Sequence, residues 1–476
     1  MNASLRVFKN STALSFSVLI ERGIAFLLPL YVARILGLET WGDYNTAYTF
    51  VLIGAAIAPT GLFELLPRKI ARDSEQTSSA LINSLVIGFF ASLVTAVLMI
   101  TVTRALNYPA HIESLIIVGI LSTILPQTEA SMFENVIQGL ERMEWIVWVR
   151  LPSTFVRVAI SIWLLEMGFG IQVLFYTLAI YYVLNACVYL IVLRRRFGFV
   201  YQKVDFAQVR ILFVQALPFF MIISTTETFR QLDRIFLSKL WDTDAVGIYS
   251  TGSMYTQLLY MFAPALMGAL FPGLARTFIK DKDRFAYLVS WLFKLFALLI
   301  FPLMIFTIIF AGPIILLVFG AEYESAVPVM QLLALGILPT FLSRMLYRAI
   351  LASDNERFAV YVAIVANSAS LLLNILLIPK FGVMGAGLSS LGTVFINFGQ
   401  NFWYAARVIR FDFWRSLWKP LFCMVISIGV SVLLYSYSQI LAFGLGTAVF
   451  IIVLWLTGTF TRADLDNFSA VRSKDA

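Results

Sequence analysis

The sequence predicts an all-α integral membrane protein of about fourteen transmembrane helices, because apolar runs of roughly 20 residues, each long enough to cross about 30 Å of hydrocarbon, recur from end to end. Composition agrees: of 476 residues, 60% are hydrophobic and 13% charged, and the mean hydropathy is +0.87. A soluble chain is roughly half apolar and could not hide that much apolar surface. The third observation is charge, since Lys and Arg collect at alternate connections between the runs, as they do on cytoplasmic loops.

Apolar runs between polar breaks place seven spans near 12–36, 44–66, 80–104, 112–133, 145–166, 170–193 and 208–239. Seven more follow near 246–274, 286–311, 327–351, 358–378, 382–408, 418–437 and 440–460. The first run begins after "MNASLRVFKN" and has no small-residue cleavage site, so it reads as a retained span and not a signal peptide. An even number of spans puts both termini on one side. That side holds Arg6, Lys9, Arg68, Lys69, Arg72, Arg194, Arg195, Arg196, Lys203, Lys282 and Arg407, whereas the opposite loops hold only Arg34, Arg104, Lys239 and Lys380. Both termini are therefore expected in the cytoplasm. The net charge of +8 follows from this topology, and no nucleic-acid partner is expected. Cys187 and Cys423 lie inside apolar runs and read as packing residues, and the lone His111 makes a poor metal site.

The chain also matches itself. At an offset of 205, Gly42, Tyr44, Thr46, Pro59, Leu65 and Pro67 meet Gly247, Tyr249, Thr251, Pro264, Leu270 and Pro272. At an offset of 213, "ILP" at 124–126 meets "ILP" at 337–339, and Met132, Ile137, Val147 and Val149 meet Met345, Ile350, Val360 and Val362. Two ordered blocks with matched prolines indicate duplication. Each copy spans six helices, giving lobes at 1–205 and 206–412 related by a pseudo-twofold axis along the membrane normal, with two further helices in 413–476. Lobes so related can rock around a cavity, which alternating access requires. Proline kinks would suit such a gate.

A charge at the bilayer centre costs about 3 kcal/mol on insertion scales, so intramembrane ionisable residues face a partner or a wet cavity. Glu21 and Arg22 lie in the first span, and Glu227, Arg230, Asp233 and Arg234 in the seventh. Helical spacing puts Glu227, Arg230 and Arg234 on one stripe and permits ion pairs of Arg230 with Glu227 and Asp233. Arg150 and Arg157 share a face of the fifth span, as do Arg344 and Arg348 of the tenth. Two readings compete for these arginines. They could pair with Glu129, Glu134, Glu227 and Asp233, or line a cavity for an anion, since guanidinium forks suit phosphate oxygens. Arg150 and Arg348 also lie near enough to the cytoplasmic boundary to be interface anchors.

The segments "RGIAFLLPLYVARILGLETWGDYN", "QLDRIFLSKLWDTDAVGIYSTG", "VFGAEYESAVPVMQLLALGILP" and "IPKFGVMGAGLSSL" resemble the polysaccharide-exporter (oligosaccharide flippase) branch of the multidrug/oligosaccharidyl-lipid/polysaccharide (MOP) flippase superfamily. The resemblance covers nearly the whole chain. It implies a flippase of a bacterial plasma (inner) membrane, not an enzyme, that moves polyprenyl-pyrophosphate-linked oligosaccharide to the outer leaflet for O-antigen, capsule or exopolysaccharide synthesis, with other polysaccharide assembly proteins as candidate partners. Substrate would be held by Arg22, Arg157, Arg230, Arg234 and Arg344, with Arg150 and Arg348 beside them. Glu21, Glu227 and Asp233 would balance charge or couple transport to a proton or sodium gradient, and no cofactor is expected. A lipid-linked peptidoglycan precursor flippase is the near alternative, and a multidrug and toxin extruder would favour a cavity of carboxylates and aromatic rings. A membrane polymerase or glycosyltransferase would need a sizeable extramembrane segment, and none is present. The glycines of "GVMGAGLSSLG" read as close helix packing and not as a phosphate loop.

Overall fold

The computed structural model describes residues 3–260, 274, 276–353, 356–409 and 413–458, with the backbone alone at 3–19, 22, 74, 356, 357, 359 and 413–417. Every long element among them is a helix and none is a strand, as expected where lipid offers no partner to an open backbone. The chain divides into two compact units, Met1–Gly247 and Ile248–Ala476. The first holds α1 (Ala3–Ile57), α2 (Leu62–Arg72), α3 (Thr77–Ala105), α4 (Ala110–Gly139), α5 (Met143–Glu166), α6 (Val173–Phe197) and α7 (Phe206–Leu240). Helix α8 (Thr243–Tyr260) leads into the second, which holds α9 (Lys282–Val318), α10 (Val327–Ala334), α11 (Ile337–Ala352), α12 (Glu356–Val408), α13 (Phe413–Tyr435) and α14 (Gln439–Leu456).

Among the described residues, eleven helical stretches are long and apolar enough to cross a membrane. Two of them, Gly23–Arg72 and Val360–Val408, reach about 75 Å at 1.5 Å per residue, over twice one crossing. Each contains a glycine outside helical geometry, Gly37 (φ 80°, ψ 175°) and Gly382 (φ 53°, ψ −126°), so each supplies two crossings. Eleven stretches, two of them double, make thirteen crossings among the described residues. Helix α8 would begin the fourteenth; residues 261–273, with Pro264, Leu270 and Pro272, lie outside the described residues.

Several hydroxyls inside the spans are satisfied locally, whereas those of Thr46 and Ser92 are buried without a partner. Ser84 donates to the Ala80 carbonyl at 2.6 Å, and Thr103 and Thr128 donate to Met99 and Ile124 at 2.8 Å. This back-bonding lets a polar residue stay in a helix that lacks water. Large side chains point outward along the spans, Trp148 at 73% and Val94 at 68% exposure among them, as a lipid-facing surface requires.

The second span differs from expectation near its end. It breaks at Pro59–Thr60–Gly61, where Thr60 (φ 50°) and Gly61 (φ 76°) turn left-handed, and resumes as the amphipathic α2, which buries Leu62, Leu66 and Ile70. A Cβ on Gly61 would stand 2.5 Å from the Phe220 nitrogen and 2.6 Å from the Ala216 oxygen. The backbone of α7, next to Pro218, thus occupies the space a side chain would need.

Both ends of the first unit are knitted by polar contacts that follow the sequence topology. At the expected cytoplasmic end, Lys69 meets Gln208 at 3.3 Å, the Asp205 amide donates to Asn83 at 3.0 Å, and Arg196 lies over the Trp145 ring at 5.9 Å. At the other end, Tyr108 pairs with Ser238 at 2.7 Å, Lys239 lies 4.2 Å from the Tyr108 ring, and His111 lies 3.5 Å from Asp43.

In the second unit α9 carries the core, its Phe285, Val289, Leu292, Phe293 and Phe296 packing on Ile337, Phe341 and Met345 of α11. Helices α13 and α14 join through Ser427 donating to the Gly446 carbonyl at 2.8 Å and Ser431 to Ala442 at 3.1 Å. They meet α9 where the Phe301 and Phe450 rings lie tilted to each other at 5.2 Å beside the buried Cys423. The glycines of 382–392 pack helices, and a Cβ on Gly387 would stand 2.9 Å from Leu332 of α10. Among the matched pairs, Thr46 with Thr251, Ile124 with Ile337, Met132 with Met345, Ile137 with Ile350 and Val149 with Val362 are buried at both positions, whereas Val147 is half-buried and its match Val360 is exposed. The division expected at 205/206 rests on the sequence match alone, and by contact α7 packs with α1, α2 and α3.

Candidate functional site

The fifth span supplies two of the expected arginines, and they have different surroundings. Arg150 donates through Nε (3.2 Å) and Nη2 (2.8 Å) to one oxygen of Glu21 on α1, and through Nη1 (3.1 Å) to Glu134 on α4. Its side chain is one-third exposed, at 33%. One guanidinium thus holds two carboxylates, and the cluster is net negative. Glu21 thus pairs with Arg150, and the fork of Arg150 is taken up by protein.

Arg157 lies two turns further along α5, its guanidinium carbon 5.6 Å from the centroid of Tyr181. Its Nε is buried without a hydrogen-bond partner, and no carboxylate pairs with it among the described residues. Tyr44 and Tyr182 lie within its electrostatic reach. Trp41, Tyr44 and Tyr48 recur at helical spacing on one face and stack, with centroids 5.8 Å and 5.5 Å apart. Tyr44 also meets Phe175 of α6 at 5.3 Å, and Tyr181 meets Tyr182 at 5.1 Å. This tyrosine group was absent from the expected site. The i, i+3, i+7 spacing from Trp41 was available as a signal, but such a stripe reads equally as core.

On α7, Arg230 pairs with Glu227 at 2.5 Å, one of the two pairs the spacing permits, and stays 65% exposed. Arg234 donates to Gln231 at 2.6 Å, and Asp233 is buried at 8% exposure. Glu129, weighed as an arginine partner, instead lies with Oε1 buried and without a hydrogen-bond donor. In the second unit, Arg344 donates to the Tyr260 carbonyl at 3.3 Å and lies 5.6 Å from that ring's centroid, with Arg348 one turn on. Nearby, Ser343 donates to Asn397 at 2.8 Å and Asn401 donates to Ser343 at 3.0 Å, which ties α11 to α12. The side chain of Arg22 lies outside the described residues. No group of three His, Cys, Asp or Glu stands as metal ligands among the described residues.

Comparison with known proteins follows the same lines. The family model described as "Polysaccharide biosynthesis protein" matches residues 7–278, and that of "Lipid II flippase MurJ" matches 155–454. The chain is 26% identical over 313 residues to an uncharacterized membrane protein of Methanocaldococcus jannaschii, spanning 63% of this chain and 60% of that one. It is 25% identical over 319 residues to the succinoglycan biosynthesis transport protein ExoT of Rhizobium meliloti, spanning 66% and 63%. The matches thus span less than two thirds of these relatives' length. A solved structure of the lipid II flippase MurJ, in an inward closed conformation, superposes with a TM-score of 0.73 at 16% identity, covering 94% of this chain and 98% of that one.

Proposed function

Because the chain belongs to the MOP flippase superfamily, a superfamily of transporters and not enzymes, we propose that it moves a polyprenyl-pyrophosphate-linked oligosaccharide from the cytoplasmic to the outer leaflet by alternating access, for surface polysaccharide synthesis. One observation carries this reading. Arg230, on a helix apolar enough to span the bilayer, pairs with Glu227 yet keeps 65% of its side chain exposed. A guanidinium in hydrocarbon is tolerated only against water, a carboxylate or a bound anion, so that free edge belongs in a wet cavity. Arg230 and Arg234 on α7 are the groups proposed to receive the pyrophosphate oxygens. Glu227 and Asp233 keep the empty site from being too cationic.

A second reading has its own support: the MurJ family match over 155–454 and the MurJ-like fold favour a lipid-linked peptidoglycan precursor as cargo. Both cargoes present a polyprenyl pyrophosphate and differ in the glycan. A multidrug extruder shares the superfamily but fits the arginines poorly, since a cationic drug would be repelled by them.

Deleting the gene and identifying the lipid-linked glycan that accumulates on the cytoplasmic face separates the three. A surface-polysaccharide repeat supports the main reading, a muropeptide-bearing lipid the second, and drug sensitivity without any lipid-linked glycan defeats both. Complementation adds a residue test. Arg230→Ala or Arg234→Ala should abolish export at normal protein level, and lysine should rescue partly because it lacks the bidentate fork. Normal export from both alanine variants would overturn the phosphate role.

A further inference from the structure

We propose that Arg157, with Tyr44, Tyr48, Tyr181 and Tyr182, forms a recognition subsite within the first unit for a carboxylate-bearing sugar of the transported glycan. The proposal rests on the glycan-flippase reading and adds the chemistry of the sugar. Four observations lead to it.

First, Arg157 has donor capacity to spare, for its Nε is buried with no acceptor and no carboxylate pairs with it among the described residues. Desolvating a guanidinium without an anion is costly, so a ligand that supplies one is the natural complement. Second, the surrounding surface is aromatic: Tyr181 lies under the guanidinium at 5.6 Å, and Tyr44 and Tyr48 stack at 5.5 Å with an interplanar angle of 9°. Tyrosine ring carbon suits the apolar C–H face of a pyranose, and tyrosine hydroxyls suit its polar rim. Third, further hydrogen-bonding capacity lies along α6, where Asn185 Oδ1 and the Tyr189 hydroxyl are buried without protein partners. These sit one and two turns beyond Tyr181 on the same face.

The fourth observation is charge, and it decides against a diphosphate. Next to Arg157 on α5, Arg150 is shared by Glu21 and Glu134, so the neighbouring cluster carries two negative groups against one positive. A diphosphate would bring more than one negative charge to a site with one available cation. A single carboxylate matches it, and its two planar oxygens fit the guanidinium fork. The phosphate and the sugar would thus be read by different arginines, the former on α7 and the latter on α5.

The test uses the purified full-length protein and three soluble probes: trigalacturonate, the neutral maltotriose and inorganic pyrophosphate. Binding is followed by titration calorimetry and saturation-transfer NMR. Wild type should bind trigalacturonate in clear preference to maltotriose. Arg157→Gln should weaken that binding about tenfold or more, the scale of losing a charge-assisted hydrogen-bond pair. Arg157→Lys should fall between the two, and Tyr181→Phe should retain most of the affinity because the ring face remains. Pyrophosphate binding should be unchanged in both Arg157 variants. Equal binding of trigalacturonate and maltotriose by wild type, or equal trigalacturonate binding by wild type and Arg157→Gln, overturns the proposal. Loss of pyrophosphate binding in Arg157→Gln also overturns it, and reassigns Arg157 to the phosphate. If Arg157→Gln does not fold, Arg157→Lys carries the same comparison. A deletion strain that accumulates a neutral lipid-linked glycan would leave the flippase reading standing and remove the acidic sugar alone.

Discussion

Arg150 and Arg157 lie seven residues apart on one helix face, yet only one of them is consumed by protein. Spacing along α5 showed the shared face, but the two carboxylates on Arg150 come from α1 and α4, separated from it by 129 and 16 residues. Which arginine meets a carboxylate is a property of packing, and no local pattern carries it. The same holds for Glu129, a plausible arginine partner by position that ends with a buried oxygen and no donor. The energetic consequence can be measured. Arg150→Met leaves Glu21 and Glu134 facing each other without a cation, which by the cost of breaking a buried pair should remove about 3–5 kcal/mol. Thermal unfolding in detergent should show a large drop in midpoint, and the variant's export should fail through loss of protein. The triple variant Glu21→Gln, Glu134→Gln, Arg150→Met should recover most of the midpoint, since it removes the stranded charges together. A triple variant as unstable as the single one would show that packing, and not charge, explains the loss.

Spans, as elements, were the most legible part of the chain, because a helix that must satisfy its own backbone in lipid announces itself as a run of about 20 apolar residues. Gly37 breaks its long helical stretch in the gap between the expected spans 12–36 and 44–66, and Gly382 breaks its stretch at the first residue of the expected span 382–408. The break at Pro59–Gly61 was not legible. Pro59 inside an apolar run reads as a kink, and nothing nearby in sequence reveals that α7 crosses against Gly61. Two glycines with similar backbone angles separate strain from contact. Gly61 (φ +76°) faces backbone atoms of α7, whereas Gly168 (φ +83°) has nothing within 4 Å of a built Cβ. Gly168→Ala should cost only the left-handed penalty, about 1 kcal/mol. Gly61→Ala should cost clearly more, because α2 or α7 must also shift. Equal midpoints for the two variants would mean that the contact with α7 relaxes freely.

For the whole molecule, topology is the property on which transport direction depends, and charge on the loops made it legible before any packing was known. Residues assigned to one side by the positive-inside pattern meet at one end of the first unit: Lys69 meets Gln208, and Arg196 meets Trp145. Residues assigned to the other side, Lys239 and His111, contact Tyr108 and Asp43 at the opposite end. In the second unit the strongest constraint is α9, which runs unbroken for 37 residues from Lys282 to Val318, about 55 Å at 1.5 Å per residue. A helix of that length crosses the bilayer once, so Lys282 and Glu322 must lie on opposite faces. Reporter fusions should therefore read cytoplasmic at Arg195, Lys282 and Arg472 and external at Glu322 and Gln439. The pair at Lys282 and Glu322 is the sharpest, since it depends on one helix and not on the number of spans before it. A fusion series with these two on one side would contradict the crossing by α9, whereas reversal of all five together would keep every crossing and invert the orientation. In that second case the basic loops would face outward, and export of a glycan made in the cytoplasm would lose its structural basis.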